Sequence, residues 1–548
     1  MSGRDGLDPR VRGDDEQPAG TSTHAVSRRE FVAVGAAALV GLTCKGSGRP
    51  LAGALMDDGP DVGHRLRDGA APPVGRRAER ASVVIVGGGA AGLSAAWWLA
   101  RHGMRDFVLL ELASRPGGNA RSGENAVSAY PWGAHYVPVP GPRATLVRLL
   151  LEEMGILSPA GEWRERDLCQ APKERLFAHG RWREGLVEPL ALGAADDAEL
   201  RRFDDRVRAL RERGAFTIPM ALGMDAASPE SAALDTLTAE AWLAREGFRS
   251  PAVRWLVDYA CRDDFGTRAR DASAWAALHY FAARDAEDPG PLTWPEGNGR
   301  LVRYLAERVA GHVRTGAPVW RVSRDARTGG GSSLRVLAGD PSLVSGQATE
   351  WSCDAVIWAA PTFLASHVVE GAPPVPWRYA PWMVSNLTLD RRPASAPDEA
   401  DEAWDNVIAD SPALGYVVAT HQSLRAAPEP RTVWTHYWAL ADEAPAAARR
   451  RLLAADWRAC AESVLADLAR AHPDVRACVS RVDVLRYGHA MPRPEPGFLA
   501  AHRAWWDAPR DARVLWANSD VSGLSLFEEA QYRGVRAAER ALELVGRG

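Results

Sequence analysis

The clearest hydrophobic pattern starts at Ser82. Val83-Val84-Ile85-Val86 is a continuous β-branched run, as in strands covered on both faces. Apolar residues then follow a helical spacing from Ala90 to about His102, and Gly103 supplies a residue suited to end the helix. Phe107-Val108-Leu109-Leu110 predicts a second buried strand. Further strands are predicted within Ala355–Pro361 and Val514–Asp520, the latter ending in a polar turn, and further helices at Leu146–Met154, Ala239–Glu246, Ala272–Ala283, Leu301–Ala310 and Phe527 to about Val545. Leu176–Trp182 reads as a hairpin with a turn at Gly180, and Trp434–Trp438 alternates like a strand. Cys261–Gly266 is predicted to be a loop.

Residues 1–26 are polar and rich in Gly, Asp and Arg, a composition that predicts disorder. Ser27-Arg28-Arg29-Glu30-Phe31-Val32 follows, with apolar residues through Leu42. As a helix this run is about 18 Å long, too short for a hydrocarbon core of about 30 Å. It resembles a twin-arginine export signal over 27–54, with Ala52-Gly53-Ala54 as a cleavage site. The resemblance implies the twin-arginine translocation machinery as a partner and a periplasmic or otherwise exported location. Lipidation at Cys44 and retention of the signal stay open. Residues 55–80, rich in Gly, Pro, Arg and Asp, read as a linker. No stretch reaches the length of a transmembrane span.

Composition narrows the function classes. The 548 residues carry 66 Lys+Arg against 70 Asp+Glu, a net charge of −4, which disfavours a broad nucleic-acid surface. The six cysteines form no CxxC and none stands beside a histidine at ligand spacing, so neither a metal site nor a disulfide framework is expected. Lys45 and Lys173 are the only lysines.

The first strand runs into Gly87-Gly88-Gly89-Ala90-Ala91-Gly92. Gly87 permits a tight turn, Gly89 lets a pyrophosphate approach the backbone, and Gly92 lets the helix pack on the strand. The amide-rich helix N-terminus at Ala90 and Ala91 faces the phosphates. Glu111 closes the second strand, 19 residues after Gly92, where an acid bonds a ribose diol.

Glu111 through Ser122, with Arg115, Gly117, Gly118, Asn119 and Arg121, then resembles the E-x-x-x-R-x-G-G-R segment of the flavin-containing amine oxidase and phytoene desaturase superfamily. Asn119 replaces the usual arginine. Gly133-Ala134-His135 resembles the family's stretch near the isoalloxazine, and Trp294–Leu301 its P-x-G-G segment. By resemblance, the Val319 backbone holds adenine, while Asp520, Glu529 and Ala530 belong to the terminal FAD motif. Ser519 and Glu529 stand where glycine is usual.

The resemblance implies an α/β fold: a discontinuous Rossmann-like FAD-binding domain (81–150, 290–365, 506–548) and a mixed α+β substrate lobe (151–289, 366–505). It also implies an FAD-dependent oxidoreductase that takes a hydride from a C–H bond of a small organic substrate. Many amine oxidases of the superfamily place a lysine near the flavin N5, and Lys173 matches no such motif. A carotenoid desaturase-like enzyme and a flavin-binding partner without its own catalysis remain alternatives. Catalytic residues stay unassigned. His279, His436 and His489 are candidates for proton transfer or for structural roles.

Overall fold

A computed structural model describes residues 50–546 apart from 58, 71–72, 191–192, 215, 223–227, 285–288, 325–332, 340–346 and 424–428. The Arg28-Arg29 signal and Cys44 lie outside the described residues.

The region expected to be a linker is structured. It contains helix α1 (Pro60–Arg67) and strand β2 (Val74–Arg80), and strand β1 (Ala52–Leu55) occupies the stretch expected to be the cleavage site of the signal. Their composition hides this because the order comes from distant partners. β1 pairs in parallel with Val479–Arg493, and β2 with Gln347–Cys353. Ala52-Gly53-Ala54 is therefore strand, and a cut after Ala54 would remove three of its four residues.

The cofactor lobe is built as the motifs predict. Strand β3 (Val83–Val86), helix α2 (Ala90–Arg101) and strand β4 (Phe107–Leu110) form the β-α-β unit. The sheet order is Val313–Arg314, β4, β3, Ala355–Trp358, Val514–Trp516, and every pairing is parallel. β3 and β4 are buried along their whole length, which explains their unbroken apolar runs. A Cβ on Gly92 would lie 1.8 Å from the Gly87 carbonyl oxygen, so only glycine lets α2 sit this close to the turn. The C-terminal helix Phe527–Val545 packs against α2.

The second lobe has an eight-stranded mixed sheet with β1 at one edge and the hairpin Glu174–Ala178/Arg181–Glu184 at the other. The hairpin turns at His179 and Gly180, both with positive φ. Cys261–Phe265 is not a loop. It is the last turn of the helix Pro251–Phe265, which Gly266 ends at φ 58°. A left-handed glycine after an amphipathic run is a stop signal for a helix. The five described cysteines are buried and unbridged.

Candidate cofactor and substrate site

The two lobes meet at a turn held by three side chains of the large sheet. Asn386 Nδ2 donates to the Pro131 carbonyl at 3.0 Å, Tyr487 Oη to Trp132 at 2.7 Å, and Tyr437 Oη to Gly133 at 2.8 Å. Ala134, which follows this turn, lines both of two adjoining cavities.

The larger cavity, of about 400 Å³, follows the glycine loops. Of the residues expected at the cofactor, Gly87, Gly89, Ala90, Ala91, Glu111, Arg115, Gly117, Gly118, Asn119, Arg121, Ala134, Val319, Asp520 and Ala530 line it. Glu111 also shapes it. Its Oε2 accepts from the Gly88 N–H at 2.6 Å and its Oε1 from the Ala113 N–H at 2.7 Å. A Cβ on Gly89 would find nothing nearer than Gly118 Cα at 3.8 Å, so the two loops frame a cradle that a side chain would fill. Arg115 and Arg121 bring positive charge to it. The cradle, the cations and the N-terminus of α2 fit a dinucleotide pyrophosphate.

Asp520 is buried, and its Oδ2 accepts from the Thr362 N–H at 2.9 Å and from Tyr379 Oη at 3.0 Å. Burial pushes its carboxyl above the usual range. The turn itself is closed by Asn518, whose Oδ1 accepts from the Asp520 N–H. Asn119 Nδ2 donates to the Ala490 carbonyl at 2.8 Å, tying the glycine loop to the substrate lobe.

Four expected residues fall elsewhere. Gly92 serves helix packing and lines neither cavity. Gly133 and His135 line the smaller cavity, because the turn carries them across to the substrate side. Glu529 is fully buried and accepts from the Met220 N–H. Successive helix residues point about 100° apart, and the residue facing a cavity is Glu528.

The smaller cavity, of about 130 Å³, shares Asn119, Ala134, Tyr487, Ala490 and Leu526-Phe527 with the larger one. Its walls include His135, Tyr136, Trp382 and Tyr437, with His135 and Tyr437 rings 4.7 Å apart. Burial lowers the His135 pKa to about 4, so the ring is neutral at pH 7. Asp263, Asp264 and Glu528 also line it. Arg284 Nη2 lies 3.2 Å from Asp264. Burial raises Asp263 to about 7, reinforced by Asp264, and raises Glu528 to about 7. These acids were not singled out from sequence as site residues; Asp263 and Asp264 were seen only as part of a polar loop.

Lys173 lies away from both cavities, exposed, with Nζ donating to the Pro289 carbonyl. His279 bonds the Thr217 carbonyl, and His436 lies 3.0 Å from Asp467. His489 lines the cofactor cavity, stacked on Phe363 at 4.3 Å.

The family model of the flavin-containing amine oxidoreductases matches residues 90–542. The chain belongs to this family. It is therefore an FAD-dependent oxidoreductase. Solved structures share the fold. Putrescine oxidase bound to putrescine shares 18% identity at a TM-score of 0.61, covering 84% of this chain and 99% of its own. Cyclohexylamine oxidase from Brevibacterium oxydans shares 17% at 0.61, covering 85% and 99%. A conjugated-linoleic-acid-producing fatty acid isomerase from P. acnes shares 14% at 0.57, covering 84% and 98%. No curated protein matches the chain significantly. Among the described residues of this amine oxidoreductase, no helix is long and apolar enough to cross a membrane.

Proposed function

We propose that the protein oxidises a small cationic substrate, an amine, by hydride transfer from a C–H bond, and that it is exported by the twin-arginine route. The observation that carries the substrate reading is the smaller cavity. Three carboxyl groups line it, with the Arg284 guanidinium beside Asp264 as their counter-charge. An ammonium group entering there replaces protons on Asp263 or Glu528 and pairs with the carboxylate left behind. The rings of Tyr136 and Tyr437 cover its apolar part. A long polyene would have to desolvate these acids without any compensating charge, which disfavours the desaturase-like alternative.

FAD, when bound, supplies the hydride acceptor. The chain's contribution is positional. Phe527, Tyr487 and Ala490 border both cavities, where substrate and cofactor would meet. Lys173 takes no part.

Export is supported by Ser27-Arg28-Arg29 and the short apolar run behind it. Anaerobic mixing with amines, amino acids and polyenes tests the chemistry. Amines should bleach the flavin absorbance. Bleaching by polyenes alone would overturn the amine reading, and a flavin that no donor bleaches would favour a partner protein without catalysis.

A further inference from the structure

Residues 52–57 and 59–67 precede the dinucleotide fold and lie outside the family match, which starts at residue 90. They nevertheless contact both lobes. β1 is the edge strand of the substrate sheet, with Ala52 opposite Arg481 and Leu55 opposite Val484. Gly53 fits only because it has no side chain, since a Cβ there would meet the Val482 carbonyl oxygen at 1.8 Å. The segment is then clipped by charge. Arg486 donates to Asp57 from its backbone N–H at 3.1 Å and from Nη2 at 2.5 Å, and the two side chains are only 12% and 14% exposed.

Beyond the clip the chain crosses to the other lobe. Gly59 turns at φ 71°, against Leu112 of the loop after β4. α1 begins at Pro60. Gly59, Pro60, Gly63 and Leu66 line the cofactor cavity at the end that contains Glu111 and Val319, the end assigned to the adenosine. Gly63 presents no side chain to that space, and a Cβ there would touch nothing within 4 Å. Leu66 is buried, and Arg65 stacks over the Trp320 ring at 4.9 Å.

We infer that this segment is a strap belonging to the cofactor site: α1 roofs the adenosine end of FAD, and the Asp57–Arg486 clip holds the roof closed. FAD exchange then requires the strap to lift. The inference rests on the FAD assignment. It adds a wall that the glycine motifs do not contain and places control of retention about 30 residues before them.

The test is FAD release from the purified holoprotein, loaded with radiolabelled FAD and chased with unlabelled FAD. Asp57→Asn keeps the shape and removes the charge, so breaking the buried pair should speed release by about tenfold or more. Arg65→Ala, at an exposed position that leaves the clip intact, should speed it by a few-fold and serves if the first variant folds poorly. In hydrogen exchange, the amides of 60–67 should gain protection when FAD binds. Equal release from wild type and Arg65→Ala, or exchange in α1 that ignores FAD, overturns the strap. Wild-type protein that takes up no FAD overturns the cofactor assignment, and the strap with it.

Discussion

Gly534 presses so closely on Ala91 that a Cβ on the glycine would sit 2.1 Å from the Ala91 carbonyl oxygen. This contact sets how near the C-terminal helix lies to the start of α2, the turn that faces the phosphates. Ordinarily Gly→Ala inside a helix is stabilising by about 0.5–1 kcal/mol. Here the blocking atom is backbone, so Gly534→Ala should destabilise by about 1–3 kcal/mol. FAD affinity should fall alongside. Thermal melts and FAD titration of the purified variant check both.

Gly89→Val should abolish FAD binding with a smaller effect on folding. The added side chain enters the space framed by Gly118, which fits a pyrophosphate. Purified variant should be colourless and remain so after incubation with FAD, while its circular dichroism stays native.

Asp520→Ala removes the acceptor for the Thr362 N–H and for Tyr379 Oη. A buried donor left unsatisfied costs about 1–3 kcal/mol. The melting temperature should therefore drop even without cofactor. FAD affinity should fall too, because Asp520 lines the cavity. An unchanged apo melting temperature would contradict this anchoring role.

Glu528 gives a pH signature. Its pKa rises from 4.5 to about 7 because burial disfavours the charge. The folded state thus binds the proton more tightly than the unfolded chain. This contribution to stability is complete below about pH 4.5 and is lost as pH rises through about 7. Glu528→Gln should flatten the stability profile of the apoprotein across that window. Substrate binding has the opposite slope, since a cation needs the carboxylate. KM for an amine should fall as pH rises through about 7 in wild type and depend less on pH in the variant.

Lys173→Met should leave the rate of flavin reduction unchanged. The ammonium group is exposed and bonded to the Pro289 carbonyl, and neither residue lines either cavity. A large drop in stopped-flow reduction rate would restore a catalytic role to this lysine.

The cofactor cavity was legible in the sequence because its chemistry is local. Gly87, Gly89, Glu111 and Gly117-Gly118 sit in short motifs whose geometry follows from turn and helix-start rules. Glu529 was misplaced by one helix position, which is enough to turn a side chain from cavity to interior. The substrate acids were harder to read, because Asp263-Asp264 and Glu528 come from segments more than 260 residues apart and no spacing connects them. One signal was available. Two acids in the last turn of a helix oppose its dipole, and Gly266 marks that turn as helical. β1 reads as a cleavage site and α1 as linker, because nothing near β1 in sequence reveals Val479–Arg493 as its pairing partner.

The bonds from Ala54 to Asp483 and from Arg486 to Asp57 each span 429 residues. The edge of the large sheet therefore cannot close until late in synthesis. Its first strand must wait until residues through Arg486 have left the ribosome and folded, which makes docking of β1 a late and non-local step. Until then the Val479–Arg493 edge has an open row of amides and carbonyls where β1 will sit. During biosynthesis this is the surface most available for mispairing with another nascent chain.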